Sequence, residues 1–235
     1  MMILQWLASL THATWQQAAP PLWAIVLSII GTFWLLLPKG IALRWLGLIL
    51  FIPMLVSQPE HPQTGAIRVT VLHVGQGLAA IIQTKNHSLL YDTGPKYSAQ
   101  SDSGSRIVVL FLRGEGFTNL YGIMLGHNDL DHSGGLNSLL AQIPIKWLDS
   151  CILAYTKLGT AIDSKPVNLM PCYAGQRWIW DGVALDVLYT SIASYNTDLA
   201  DNNRCCLLKV LAQCYSLEIL KKRQSLLYCK PMLIT

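Results

Sequence analysis

The sequence predicts an α/β layered domain preceded by two apolar membrane-spanning helices, and three observations carry that prediction. From Ala66 onward, short apolar runs of strand length alternate with Gly-containing turns and an apolar helix. Upstream lie two nearly charge-free stretches, Pro21 to Leu37 and Ile41 to Val56, each a little under the roughly 20 residues that cross a hydrocarbon core. Between a buried strand and a helix sits Gly126-His127-Asn128-Asp129-Leu130-Asp131-His132-Ser133-Gly134-Gly135, which places two histidines and two aspartates within six positions.

Composition bounds the rest. The chain has 235 residues, 52% of them hydrophobic and only 13% charged, with eight tryptophans. A mean hydropathy of +0.37 is too high for a wholly water-exposed protein, so part of the chain belongs in lipid. The net charge of +4 makes no case by itself for nucleic acid and does not oppose an anionic substrate. Six cysteines occur without a CxxC pair, so neither a zinc ribbon nor a disulfide framework is expected.

Residues 1–20 form an N-terminal segment whose apolar run, Met2 to Leu10, lacks the basic flank of a signal peptide. The two spans fill residues 21–56; a buried helical hairpin in a soluble core is the alternative. Lys39 and Arg44 hold the positive charge near the connection Pro38-Lys39-Gly40, which the positive-inside rule places in the cytoplasm. Everything after Val56 then lies on the extracytoplasmic side. Residues 57–65, with Pro59, Pro62 and Gly65, read as a linker.

The domain proper covers residues 66–216. Strands are expected at Ile67 to Val74, Leu78 to Thr84, Ser88 to Tyr91 and Tyr121 to Leu125, followed by a helix from Leu136 to Ile143. Lys96 to Ser105 is polar and reads as a surface loop, while Ile107 to Leu112 is a helix or a strand. Further strands are expected at Ile145 to Leu148, at Ile152 to Tyr155 and in the apolar run Cys205 to Ala212. Arg177 to Tyr189 reads as a hairpin around Asp181-Gly182.

The loop from His127 to His132 carries the chemistry. Imidazole nitrogen and carboxylate oxygen suit zinc and similar divalent ions, and a strand-to-helix loop can turn several such side chains toward one point. An Asp/Asn-rich turn capping the next helix would explain the aspartates but not the paired histidines.

The signature His127-x-Asp129-x-Asp131-His132-x-Gly134-Gly135 is similar to that of the metallo-β-lactamase superfamily. The aspartate at its second ligand position is typical of the C-terminal domain of ComEC-type DNA internalisation (competence) proteins. Val71-Leu72-His73-Val74-Gly75-Gln76-Gly77, Leu90-Tyr91-Asp92-Thr93-Gly94-Pro95 and Asn202-Asn203 agree with that family in order and spacing, although an aspartate is commoner than His73. The resemblance implies an αββα sandwich, incomplete here because the chain matches only the C-terminal portion of a full-length member and looks truncated at both ends. It implies that His127 and Asp129 serve one metal and Asp131 and His132 a second, with zinc the first choice and manganese the other. Asp131 would orient or deprotonate the attacking water, and Asp92 would brace the ligands from behind; a turn-capping role is the alternative for Asp92. His12, His61, His73 and His87 read as ordinary surface or linker histidines.

By the same resemblance the function is metal-dependent hydrolysis of the non-transported strand during DNA uptake, at the bacterial inner membrane. Single-stranded DNA, the membrane and other uptake components are the expected partners. The competing reading is an inactive remnant or a membrane-anchored interaction module, because no histidine follows His132 and no Gly-Asp pair follows Ser216. Leu217 to Gln224 can be encoded so that a shifted frame reads Gly-Asp-Ile-Glu-Lys-Glu-Ala, so residues 217–235 are expected to be off-frame or disordered.

Overall fold

The computed structural model describes residues 6, 17–38, 40, 43–127, 129–150, 167–189, 191–193, 205–219, 224–228 and 232–234. They fall into two compact units, one of Met1–Glu60 with Leu112–Thr118, the other of His61–Phe111 with Asn119–Thr235.

In the first unit, helix α1 (Leu22–Leu35) is 14 residues long. At 1.5 Å per residue that is about 21 Å, short of a hydrocarbon core of about 30 Å. The second expected span is not one helix. Arg44–Phe51 is a 3-10 helix entered from Leu43 at φ 61°, and only Ile52–Val56 is α-helical (α2). Pro53, which lacks an amide N–H, sits at the start of α2 and interrupts a continuous helix. Among the described residues no helix is long and apolar enough to cross a membrane.

The packing of this unit is nevertheless inverted relative to a soluble hairpin. Small residues face inward: Ala24, Ser28 and Gly31 are the buried positions of α1. A Cβ on Gly31 would meet the Gly47 carbonyl at 2.6 Å, and one on Gly47 would meet the Gly31 carbonyl at 2.7 Å, so the two backbones touch. Large apolar residues face outward: Leu22, Phe33 and Val56 are 81%, 69% and 68% exposed.

The second unit is built on two larger sheets. The first has eight strands among the described residues, in the order β13-β12-β1-β2-β3-β6-β7-β8. Its members are β1 (Ala66–Val71), β2 (Ala80–Gln83), β3 (Ser88–Tyr91), β6 (Leu120–Leu125), β7 (Ile145–Ser150), β8 (Asn168–Pro171), β12 (Cys214–Ile219) and β13 (Gln224–Tyr228). Every residue of β2 and β3 is buried, so these central strands read as near-continuous apolar runs rather than alternating ones. The connections β3 to β6, β6 to β7 and β7 to β8 are parallel, the usual product of helical crossovers. Helix α5 (Leu136–Gln142) supplies one crossover and buries Leu136, Leu139 and Leu140, spaced i, i+3, i+4.

The second sheet has the order β14-β11-β10-β9, with β9 (Arg177–Trp180), β10 (Val183–Tyr189), β11 (Leu207–Leu211) and β14 (Met232–Ile234). Trp180 pairs with Val183, leaving Asp181-Gly182 as a two-residue turn with φ of 51° and 84°. Two successive left-handed residues are what a type I′ hairpin needs, and Asp-Gly supplies them. The Asp181 carboxylate then accepts hydrogen bonds from Thr84 Oγ1 at 2.6 Å, the Asn86 amide at 2.8 Å, Asn86 Nδ2 at 2.7 Å and His87 Nδ1 at 3.0 Å. One carboxylate thus ties the hairpin of the second sheet to the β2–β3 turn of the first. His87, expected to be an ordinary surface histidine, also stacks on Trp180 with ring centres 5.0 Å apart.

Other expectations differ from what the chain does. Lys96 to Ser105 is not a plain loop: β4 (Lys96–Ser98) and β5 (Ser101–Asp102) pair, and a π-helical turn over Gly104–Val108 runs into α3 (Val109–Gly114). The cause is local, since the buried Ser103 hydroxyl donates to the Thr93 carbonyl at 2.6 Å and pulls the segment inward. The stretch after Ser216, expected to be disordered, contributes strand backbone: β12 lies parallel to β1, β13 antiparallel to β12, and β14 antiparallel to β11. Gln224–Tyr228 and Met232–Ile234 are rich in strand-forming residues, and the open edges of β12 and β11 are ready templates for them. Cys172 and Cys206, with Cα atoms 6.0 Å apart, form a disulfide that the cysteine spacing did not suggest. The expected strand Ile152 to Tyr155, Asn202-Asn203 and Asn128 lie outside the described residues.

Candidate metal centre

Strand β6 delivers the chain to Gly126, and no larger residue fits there. A Cβ would lie 2.9 Å from Tyr91 Oη and 3.1 Å from the Asp92 carboxylate. The Gly126 amide donates to Asp92 Oδ1 at 2.6 Å. After the loop, Asp129 begins the short helix α4 (Leu130–Ser133), its carbonyl accepting from the His132 and Ser133 amides, each at 2.9 Å. That single turn brings Asp131 and His132 back toward His127.

The Gly134-Gly135 pair lets this turn close against its neighbours. A Cβ on Gly134 would fall 2.3 Å from the Lys96 amide, and one on Gly135 would fall 2.5 Å from the Thr93 carbonyl. The Thr93 amide in turn donates to the His132 carbonyl at 2.7 Å. The sequence Asp92-Thr93-Gly94 therefore grips the loop through its backbone as well as its side chains.

His127, Asp131 and His132 each offer one donor atom, and these atoms all lie within 4.8 Å of one another. Asp129 stands apart from this group, with Oδ2 3.5 Å from His127 Nε2 and its side chain 44% exposed. The structure thus gathers His127, Asp131 and His132 at one point and sets Asp129 beside His127. The reason is geometric: Asp129 precedes the helical turn in extended backbone, whereas Asp131 and His132 lie within it.

Asp92 lies beneath. Its side chain is 1% exposed, and Oδ2 accepts from His132 Nδ1 at 2.6 Å. Holding the proton on Nδ1 leaves His132 Nε2 with its lone pair free, 3.5 Å from Asp131 Oδ2. Burial pushes the Asp92 carboxyl above its usual range, with the His132 and Gly126 hydrogen bonds opposing it. The Asp92 hydrogen bond in turn pushes the His132 imidazole above its ordinary value, against partial burial. Asp92 adopts φ 57°, a conformation Asp tolerates better than most residues.

Three neighbours were not legible as site residues. The Cys206 amide donates to the Gly126 carbonyl at 2.7 Å, and the Cys206 carbonyl accepts from Tyr91 Oη at 2.5 Å, so the approach to β11 buttresses the loop. Cys205 lies near enough that the Asp129 and Asp92 charges, after burial itself, push its thiol up. Only the long-range contacts of Cys206 with Gly126 and Tyr91 reveal these roles, and nothing in local sequence spacing does.

The donor set fits a divalent ion. Bonds of about 2.0–2.1 Å around tetrahedral zinc put ligand atoms about 3.3 Å apart, a modest contraction of the observed group. Two imidazoles and one carboxylate also leave a fourth position for water or substrate, as catalytic zinc sites do.

This mixed α/β domain carries its His/Asp loop at the end of a central parallel strand. The chain is similar to ComEC-type competence proteins. It is 32% identical to "Competence protein ComA" of Neisseria gonorrhoeae over 212 residues, 89% of this chain and 27% of that protein. It is 29% identical to "Recombination protein 2" of Haemophilus influenzae over 164 residues, 69% of this chain and 19% of that protein. The chain therefore spans at most about a quarter of the length of the curated relatives it matches. Among solved structures, the SMB-1 metallo-β-lactamase is similar over 76% of this chain and 65% of its own, at 14% identity and a TM-score of 0.46. A metallo-β-lactamase of Cronobacter sakazakii is similar over 73% and 63%, at 22% identity and a TM-score of 0.39. No protein-family model matches the chain.

Proposed function

We propose that the chain is part of a DNA uptake protein and that its α/β domain hydrolyses phosphodiester bonds of the strand that is not transported, using a divalent metal. The observation that carries this reading is the convergence of His127, Asp131 and His132 donor atoms within 4.8 Å, backed by a buried carboxylate. The names of the relatives, a competence protein and a recombination protein, supply the substrate class. Zinc is the first choice of ion, and manganese the second.

A bound divalent ion would supply Lewis acidity for an attacking water and for the phosphoryl oxygens. The residues of the chain do the rest. His127 and His132 would offer the ion imidazole nitrogens, and Asp92 orients the His132 ring. Asp131, with a side chain 49% exposed, reaches the open side of the group, where it takes the proton from water as the oxygen–phosphorus bond forms and the ester bond breaks. Asp129 lines the approach beside His127.

The apolar residues exposed on α1 and α2, together with the small residues buried between the helical segments, support association of the first unit with a membrane. The charge of Lys39 and Arg44 favours the cytoplasmic side for their connection and the extracytoplasmic side for the α/β domain. Other uptake components would then be neighbours in the same membrane.

One observation favours a second reading, a metal-binding module without turnover: no histidine of the given sequence follows His132 to join the group at the loop. The experiment that separates the two is degradation of end-labelled single-stranded DNA by the purified full chain, supplied with zinc or manganese. The nuclease reading expects cleavage that EDTA and Asp131→Asn abolish. Intact DNA despite a bound ion supports the module instead.

A further inference from the structure

A second cavity in the α/β unit, of about 360 Å³, has walls of Tyr121, Trp147, Trp178 and Trp180, with Asp149 and Arg177 also lining it. The three indoles come from two sheets. Trp147 stands on β7, and Trp178 and Trp180 on β9, with ring centres 5.9 to 6.2 Å apart and planes tilted by 46° to 82°. Alternation along β7 puts Asp149 on the same side as Trp147. Asp149 is 1% exposed, yet among the described residues its Oδ1 has no hydrogen-bond partner. The indole Nε1 of Trp178 is likewise buried with no partner among the described residues. An unpaired acceptor and an unpaired donor in one aromatic cavity cost stability, and a cavity that keeps both calls for a ligand that satisfies both.

We propose that this pocket binds a nucleobase, the ring lying on an indole face, an exocyclic amine donating to Asp149 Oδ1 and a ring or carbonyl acceptor taking the Trp178 N–H. A base offers what the site lacks: an aromatic face and adjacent donor and acceptor groups on one edge. An alkylammonium ion, the usual guest of an aromatic cage, fits less well. It would leave Trp178 without an acceptor and would share the site with Arg177, while Lys146 Nζ lies 4.1 Å from the ring centre of the lining Tyr121. Those same cations suit the phosphates flanking a base. Arg177, its side chain 61% exposed, is held 3.3 Å from Asp186 Oδ1 at the rim. Burial pushes the Asp149 carboxyl up to about 7, with only the Ser150 amide opposing it, as expected of a group that waits for a donor. The proposal rests on the reading of the chain as a DNA-handling protein and adds a holding point for the strand that is separate from the metal loop.

Nucleosides carry no phosphodiester, so they test the pocket apart from hydrolysis. Deoxyadenosine, deoxycytidine, deoxyguanosine and thymidine are titrated into the full chain in EDTA, with binding followed by ligand-observed NMR. The proposal expects saturable binding of the three amine-bearing nucleosides, weaker binding of thymidine, and at least a tenfold loss in Asp149→Leu and in Trp178→Phe. Far-UV circular dichroism of both variants must match the parent, and His132→Ala must bind nucleosides as the parent does. Saturation by tetramethylammonium with all nucleosides inert would overturn the proposal, as would undiminished nucleoside binding by folded Asp149→Leu. Failure of DNA cleavage with nucleoside binding intact would overturn only the nuclease reading.

Discussion

Asp92 Oδ2 lies 2.6 Å from His132 Nδ1, and this one bond decides which imidazole nitrogen faces the Asp131 carboxylate. Replacing Asp92 by Asn keeps the size and tolerates the same positive φ, but removes the charge that fixes the tautomer. Zinc affinity of Asp92→Asn should fall about 10–100-fold, the usual effect of losing a residue that orients a metal ligand. Competition with a chromophoric chelator measures it, and the parent circular dichroism spectrum should be retained.

The same pair sets a pH dependence. His132 titrates above its ordinary value in the fold because Asp92 holds the protonated ring, so the pair's stabilisation of the metal-free fold is complete below about pH 6.5 and is lost as pH rises through the raised folded value. A metal must displace the Nε2 proton, so its affinity moves the other way. Zinc should bind more tightly as pH rises through that value and release protons on binding, which calorimetry in buffers of different ionisation enthalpy would detect. Proton release in the parent should be larger than in Asp92→Asn.

Asp181 offers a test of the fold without touching the site. Burial alone would raise its carboxyl, but hydrogen bonds from His87, Thr84 and Asn86 outweigh it and hold the group well below the usual carboxylate range. Its contribution is therefore full above about pH 4, the unfolded value, and is lost as pH falls toward the folded one. Asp181→Ala should destabilise the α/β unit by about 2–3 kcal/mol, since it strands the buried Thr84 hydroxyl, removes the carboxylate shared by Asn86 and His87, and disturbs a I′ turn at once. Urea unfolding at neutral pH measures the loss, and the gap between variant and parent should narrow in acid.

Gly134 has no room for a methyl group, because a Cβ would meet the Lys96 amide at 2.3 Å and the Leu130 carbonyl at 2.4 Å. Both obstacles are backbone and cannot swing aside. Gly134→Ala should displace the α4 turn, lowering the melting temperature and zinc affinity together, as read by thermal scans with and without metal.

What could be read from the sequence follows what is local. Asp181-Gly182 announces its turn because two left-handed residues in a row admit few others. The crowding of His127, Asp131 and His132 in one strand-to-helix loop makes a common centre legible, but Asp129 differs from Asp131 only by its position relative to a helical turn, which composition does not reveal. The strand at Met232–Ile234 is not legible because its partner, β11, lies well upstream in the chain, whereas Gln224–Tyr228 closes a short hairpin with β12 behind a run of basic residues. The Trp147, Trp178 and Trp180 cluster joins β7 to β9 across two sheets, so no window of sequence contains it. The apolar stretches of the first unit were visible as composition, while the interruption at Pro53 shortened the second helix.

The claim on which the account turns is that His127, Asp131 and His132 hold one divalent ion. The direct measurement is the zinc content of the full chain after equilibrium dialysis, by elemental mass spectrometry, beside His127→Ala and His132→Ala. The account predicts about one zinc per chain in the parent and almost none in either variant, with circular dichroism unchanged. Equal zinc in parent and variants, or none in the parent, would contradict it.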